Sequence, residues 1–292
     1  MTYLCHELVL ISIFSILAVS LNLLVGYLGL ASMAQAAYYG IGAYTAAVMA
    51  LRLNTPLPLN ILAAALLAGL SATGISWCAL RWHDDYFVLA TFGAQIILFS
   101  VFKNWVSLTN GPAGLGGIAQ VHLLGISFDT PFRFLLLTAP VAFACFLLIW
   151  ALVRAPFGRL LIAIREDEVF ALTLGKDVRR HKVTASAVSA ALAAMAGALY
   201  AHYISFIDPT SFSAPESILI ISMVIIGGAA SLTGSVLGAT FLIALPEALK
   251  FVNMPEAVAA NVRQILLGLF LVVLMVYRPQ GFLGTYRFGR NQ

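Results

Sequence analysis

Between Glu216 and Glu247 the chain runs through 30 consecutive residues without one ionisable side chain. A water-soluble domain needs polar residues at regular intervals to face solvent, and a run of this length offers none. The lipid bilayer is the solvent that accepts it, since a helix crosses the hydrocarbon core with about 20 largely apolar residues. Similar runs occur at Leu8 to Val25, Ala31 to Leu51, Leu57 to Leu80, Tyr86 to Phe102 and Phe134 to Val153. The 292 residues are 61% hydrophobic and 10% charged, which fits a polytopic membrane protein and not a soluble one. A membrane β-barrel would show segments of about ten residues alternating apolar and polar, and that pattern is absent. Helices are the remaining way to span lipid with every backbone group satisfied, so the expectation is an all-α polytopic fold.

Charge orients the spans. The segment from Arg154 to Lys182 holds Arg154, Arg159, Arg165, Lys176, Arg179, Arg180 and Lys182 against Glu166, Asp167, Glu168 and Asp177. The tail carries Arg278, Arg287 and Arg290 without an acid. An excess of Lys and Arg marks cytoplasmic loops, so the central loop, about 154–182, and the C-terminus are placed on the cytoplasmic side. That requires an even number of crossings between them. Val183 to Ile207 and Ala257 to Tyr277 supply two, and Ser217 to Leu245, interrupted at Gly227, Gly228, Ser231 and Gly234, is divided into a short pass and a second one reaching toward Lys250. At about 1.5 Å per residue that stretch is too short for two full crossings, so one pass is expected to be a broken or re-entrant helix. The count is nine, within a range of about 8–10, in a single transmembrane domain over residues 1–292 with its N-terminus outside. The first run follows Glu7 and no basic residue, which reads as a mature span and not as a signal peptide.

Several chemistries are disfavoured. Gly175-Lys176 is followed by Asp177 and preceded by no glycine loop, so the chain has no P-loop for ATP. The histidines His6, His83, His122, His181 and His202 have no helical pairing, and Cys5, Cys78 and Cys145 lack metal-ligand spacing. The net charge of +4 sits beside the spans and reports topology, so no nucleic-acid partner is expected. An ion-coupled secondary transporter of small solutes is the alternative, since Glu216, Glu247, Asp208 and His202 flank the longest apolar run. All four lie near expected helix ends, where capping and interfacial roles account for them.

The cytoplasmic loop has the most distinctive pattern. Pro156 and Gly158 end a helix, Leu160 to Ile164 begin a short amphipathic stretch that runs into Glu166, Asp167 and Glu168, and Ala171 and Gly175 follow four apart. A helix small on one face and charged on the other suits docking in a partner's groove, and a solvated loop with intrahelical charge pairs is the alternative. On that reading, replacing the three acids by Ala weakens docking.

The segment Gly29 to Tyr44, with Gly29, Ser32, Ala36, Tyr38-Tyr39-Gly40 and Gly42-Ala43-Tyr44, resembles the Gly-x-x-Ser-x-Gly-x-Ala-x-Phe-Phe-Gly-x-Gly-Ala-Tyr signature of the membrane permeases of branched-chain amino acid ABC importers, in particular their LivM-type subunit. Ala34 departs from that signature where Gly is common, and Tyr38-Tyr39 replace Phe-Phe. Further matches are Thr109 to Leu115, Pro156-Phe157-Gly158-Arg159 with Ala163 to Glu168, Pro209 to Phe212 with Glu216-Ser217, the Gly227 to Gly238 segment and Arg278 to Gly281. The resemblance implies an ABC importer permease bundle in the bacterial inner membrane, moving branched-chain or related amino acids. It implies a second related permease subunit, two cytoplasmic ATPase subunits that bind ATP and Mg, and an extracytoplasmic substrate-binding protein, with no cofactor in this chain. Arg159, Arg165, Glu166, Asp167, Glu168, Ala171 and Gly175 then belong to the ATPase-coupling loop. Ser32, Gln35, Tyr44, Asn110 and Glu216 are candidate polar contacts along the pathway, with Gly40, Gly42 and Gly111 as points of backbone freedom beside it.

Overall fold

The computed structural model describes residues 2–80, 84–118, 122–123, 126–128, 130–250, 268–269 and 280–284. Helix α1 (Thr2–Asn22) passes into a π-helical turn, Leu23–Leu28, that stops at Gly29 with φ 81°. Non-helical backbone through 30–34 leads to α2 (Gln35–Leu53), α3 (Leu57–Ala79) and α4 (Asp84–Asn104). The single turn α5 (Val106–Thr109), a 3-10 turn at Gly111–Ala113 and strands β1 (Leu115–Gly116), β2 (His122–Leu123) and β3 (Ile126–Ser127) precede α6 (Pro131–Arg154). The short pair α7 (Pro156–Glu166) and α8 (Glu168–Thr173) precedes α9 (Val178–Ile204). Strand β4 (Phe206–Ile207) and a 3-10 turn, Pro209–Phe212, lead to α10 (Ala214–Gly227) and α11 (Leu232–Lys250). β1 pairs antiparallel with β4, and β2 with β3.

Helix starts follow side-chain chemistry. Thr130 caps α6 by accepting from Arg133 N, with Pro131 in the first turn where its missing N–H costs nothing. Asp177 caps α9 by accepting from Arg180 N at 3.1 Å. Five described helices are long and apolar enough to cross a bilayer: Tyr3–Leu28, Leu57–Ala79, Tyr86–Asn104, Pro131–Arg154 and Val178–Ile204. The chain is an all-α, multi-pass membrane protein. The expected crossing over Ala257 to Tyr277 lies outside the described residues except for 268–269.

Small residues set the packing. The buried face of α3 repeats every fourth residue, as Asn60, Ala64, Ala68, Ala72 and Ser76, and lies along α9. A Cβ at Gly197 would stand 2.0 Å from Tyr39 O, and one at Gly42 would stand 2.1 Å from Ala194 O, so α2 and α9 meet backbone to backbone. Gly238 sits equally close to Met223 O, at 2.0 Å, where α11 crosses α10. Leu66 and Leu70 on α3, Leu89 and Ile97 on α4 and Phe143 on α6 stay exposed, as lipid-facing residues do.

Contacts along α9 give the depth of each element. α1 and α3 run antiparallel to it: His6 Nδ1 is 2.6 Å from Tyr203 Oη, Ser189 Oγ donates to Ser20 O at 2.8 Å, Asn60 meets His202 at 3.4 Å, and Arg179 donates to Trp77 O. α2 begins where Gln35 Nε2 donates to Ser20 Oγ at 2.8 Å, level with Ser189. Ser189 is 11 residues beyond Val178, so α2 starts about 16 Å inside the bundle. α10 starts at the same depth, because Ser217 Oγ accepts from Ala36 N at 3.0 Å. Two non-helical segments therefore reach mid-bundle from opposite ends: residues 29–34 from the charged end that carries α7 and α8, and residues 205–213 from the end that carries the strands.

The sequence places a whole span over Ala31 to Leu51 and the broken pass inside 217–250. The division of that long run is as expected, with the turn at 228–231 separating a 14-residue helix from the next pass. The 29–34 interruption was not expected. A non-helical hexapeptide of small and apolar residues has the same hydropathy as a helical one, and only the side chains that meet its backbone reveal it.

Candidate functional site

The two interruptions meet at Gln95 of α4. Its Oε1 accepts from Ala37 N at 2.7 Å and from Ser217 Oγ at 3.3 Å, and its Nε2 donates to Phe212 O at 2.7 Å. The first turn of a helix leaves backbone N–H groups without partners, and hydrocarbon offers them none. Gln95 and Ser217 satisfy the start of α2 from two other helices. Ser32 Oγ accepts from Ala34 N at 3.4 Å and Thr91 Oγ1 from Met33 N at 3.1 Å, completing the cradle of the first interruption. At its charged end, Asn22 accepts from Ala230 N at 3.0 Å and donates to Ser231 O at 2.9 Å, tying the end of α1 to the turn before α11.

Around this junction lies an aromatic cluster. Phe212 meets Tyr39 edge-on with centroids 5.1 Å apart and Tyr44 at 5.7 Å, while Tyr44 stacks on Phe102 at 4.9 Å. Tyr39 Oη, Tyr44 Oη and Gln35 Oε1 are buried without a hydrogen-bond partner among the described residues. Glu216 is half-buried in the first turn of α10, where the helix N-terminus favours an anion.

The structure gathers Ser32, Gln35, Gly40, Tyr44 and Glu216 about this junction and leaves Asn110 and Gly111 at the strand end. Asn110 has φ 60° and donates from Nδ2 to Gly114 O at 2.8 Å, and Gly111 has φ 58°, so both shape a tight turn. Gly40 and Gly42 are corrected in kind. They lie inside α2 and supply room for neighbours, Phe212 and Phe102 for Gly40 and the α9 backbone for Gly42, and not backbone freedom. Gln95, Ser217, Phe212 and Tyr39 were given no role by sequence. Gln95 is the one amide in the Tyr86 to Phe102 run, which is the signal that marks it.

The charged loop is also corrected. Its acids are engaged internally: Glu166 accepts from Arg165 at 2.7 Å, Asp167 caps α8 by accepting from Phe170 N at 2.9 Å, and Glu168 accepts from the nearly buried Lys182 Nζ at 2.7 Å. Ala171 is buried, and Gly175 is an exposed left-handed turn residue, so they do not form one exposed small face. The exposed face of α8 and its following turn is apolar instead: Val169 (70% exposed), Phe170 (58%), Leu172 and Leu174. Arg159 is exposed on α7. Arg165 turns inward, donates from Nη1 to Gly26 O in the π-helical turn, and lies over Gly29, where a Cβ would be 2.7 Å from its Cγ.

The model of the family described as branched-chain amino acid transport system / permease component matches residues 3–275. This chain belongs to that family. The permease is 32% identical to the high-affinity branched-chain amino acid transport system permease protein LivM of Escherichia coli K12, over 94% of this chain and 68% of that protein. It is 26% identical to the probable branched-chain amino acid transport permease protein LivM of Methanocaldococcus jannaschii over 49% of this chain and 44% of that one. The autoinducer 2 import system permease protein LsrC of Escherichia coli K12 / DH10B is 27% identical over 73% of this chain and 61% of its own. No solved structure matches the permease.

Proposed function

We propose that this permease is the membrane subunit of an ATP-driven ABC importer for branched-chain or related amino acids in the bacterial inner membrane. The greater identity and coverage against the LivM of Escherichia coli K12 than against LsrC favour amino acids as cargo. The chain acts as a single domain over residues 1–292, with its charged end and C-terminus in the cytoplasm. It works beside a second related permease subunit, two ATPase subunits that hold ATP and Mg, and an extracytoplasmic substrate-binding protein. The pathway follows the junction where Ser32, Gln35, Gly40, Gly42, Tyr44 and Glu216 gather, with Asn110 and Gly111 at its strand-end mouth.

The observation that carries this reading is the apolar face of α8. Val169, Phe170, Leu172 and Leu174 stand exposed on a loop otherwise rich in charge. Such a patch beyond the ends of the spans is a surface for a protein partner, and an aromatic residue at its centre is the usual anchor. Behind the patch, Glu168 is tied to Lys182 of α9 and Arg165 to the π-helical turn of α1. Force applied by an ATPase at α8 therefore reaches both α9 and the 29–34 interruption. Co-expression with its neighbours tests the reading: the wild-type chain is expected to purify with an ATPase, and Phe170→Asp to lose it while the second permease remains. A chain that purifies alone and moves amino acids into liposomes without ATP overturns it.

A further inference from the structure

The strap from Ser205 to Ser213 carries one ring into the bundle. Phe212 is fully buried, yet the strap that holds it is not α-helical. Ser205 turns the chain with φ 58°, Pro209–Phe212 is a lone 3-10 turn, and Ser213 offers α10 no side-chain cap. The recess that receives the ring exists because residue 40 is glycine: a Cβ there would stand 2.9 Å from Phe212 Cγ and 2.7 Å from Phe102 Cε2. Its walls are Tyr39, Tyr44, Tyr200 and Phe102, with ring centroids 5.1 to 6.4 Å from that of Phe212.

Two features of the recess are not explained by packing Phe212. The hydroxyls of Tyr39 and Tyr44 are buried and have no hydrogen-bond partner among the described residues, although buried hydroxyls normally find one. In addition, two acids flank the ring along the chain, Asp208 four residues before it and Glu216 four residues after it in the half-buried first turn of α10, which favours a positive group in this region. A pocket with aromatic walls, two unmet hydroxyls and nearby carboxylates fits a small molecule with an aliphatic end and an ammonium end.

We propose that Phe212 is a resident plug, occupying the recess over Gly40 that the aliphatic side chain of a neutral amino acid takes during passage, with the Tyr39 and Tyr44 hydroxyls meeting its α-groups. The inference rests on the importer reading above. When the strap swings away from α4, the bond from Gln95 Nε2 to Phe212 O opens and the recess empties. When the substrate leaves, the ring returns and seals the junction.

The test uses the whole transporter, with its ATPases, second permease and binding protein, in liposomes preloaded with labelled leucine. Failure of the wild-type complex to take up leucine with ATP defeats the importer reading itself. Given an active wild type, Phe212→Ala is expected to leak leucine without ATP at roughly ten times the wild-type rate, with Phe212→Leu in between because it keeps an apolar filler. The double variant Tyr39→Phe with Tyr44→Phe removes hydroxyls that bond to nothing among the described residues, so it is expected to assemble normally. Its ATP-driven uptake at saturating binding protein should fall roughly tenfold, the loss expected from two hydrogen bonds to substrate. If Phe212→Ala fails to assemble, the tyrosine variant decides. A tight Phe212→Ala vesicle, or undiminished uptake by the tyrosine variant, overturns the plug.

Discussion

The two interruptions of the bundle are both stretches of non-helical backbone among apolar helices, but they are fastened differently. Residues 29–34 are held by polar atoms at both ends: Arg165 grips the π-helical turn that leads into them, and Thr91, Ser32, Ser217 and Gln95 take the N–H groups of Met33, Ala34, Ala36 and Ala37 where the segment passes into α2. Residues 205–213 are pinned at their outer end by the β1–β4 pairing, whereas their inner end is held by the burial of the Phe212 ring and one hydrogen bond from Gln95. Hydrogen bonds are directional and fix an element in one place, whereas aromatic packing tolerates sliding and replacement by another apolar group. The first interruption is therefore the stiff part, suited to receiving force from α8, and the inner end of the second is the part that yields.

Gln95 is the residue that joins the two, and removing it tests the contrast most severely. Gln95→Leu leaves Ala37 N and Phe212 O unpaired in an apolar interior. With each lost bond costing about 1–2 kcal/mol inside a membrane protein, the purified chain is expected to lose about 3 kcal/mol of stability, seen as a lower Tm in detergent. An unchanged Tm would mean that the two interruptions are held independently.

Arg165 tests the stiff side alone. Arg165→Ala removes a charged donor from Gly26 O, a loss of about 1.5–3 kcal/mol at most, and is expected to leave ATPase attachment intact while uptake per ATP hydrolysed drops. Arg165→Lys keeps the charge but not the planar fork and should recover part of the coupling. If Arg165→Ala imports normally, the π-helical turn is not the link between α8 and the pathway.

Much of this was legible in sequence because hydrophobic length is a strong signal. The spans, the charged loop and the division of the Ser217 to Leu245 run all follow from where charge and glycine interrupt apolar residues. The interruption at 29–34 was not legible, since Gly29 to Ala34 is as apolar as the helices around it; the segment at 205–213 falls largely in the gap between the expected spans Val183 to Ile207 and Ser217 to Leu245, and only its reach into the bundle was hidden. What marks them is tertiary: an amide on α4 and a serine on α10, separated from their partners by 58 and 181 residues. The loop acids misled for a related reason. Glu166, Asp167 and Glu168 look like a docking surface in sequence, but each has a local or α9 partner, and the exposed apolar side chains beside them are Val169 and Phe170. A charge run reads the same whether it is turned outward or spent on caps and pairs.

The smallest expected effect lies at the hinge of the yielding strap. Burial raises the pKa of the Asp208 carboxyl, but hydrogen bonds from Ser211 and Thr210 outweigh it and hold the group below its ordinary value of 3.8. A depressed pKa in the folded state means that the ionised carboxylate stabilises the strap above the ordinary value, and that this contribution disappears as pH falls through the lower folded one. Acidification from pH 5 toward pH 3 should therefore lower the Tm of the wild-type chain slightly more than that of Asp208→Asn, which has no proton to gain, by roughly one degree. Because Asp208 is only half-buried, its hydroxyl bonds compete with solvent and the difference is small. Equal acid slopes for the two proteins would show that the hinge carries no charge-dependent hold, leaving the buried Phe212 ring as what keeps the strap closed. A larger slope in the wild type would place a polar latch at the outer end of an element whose inner end is held by packing, and the contrast between the two interruptions would narrow to the part that enters the bundle.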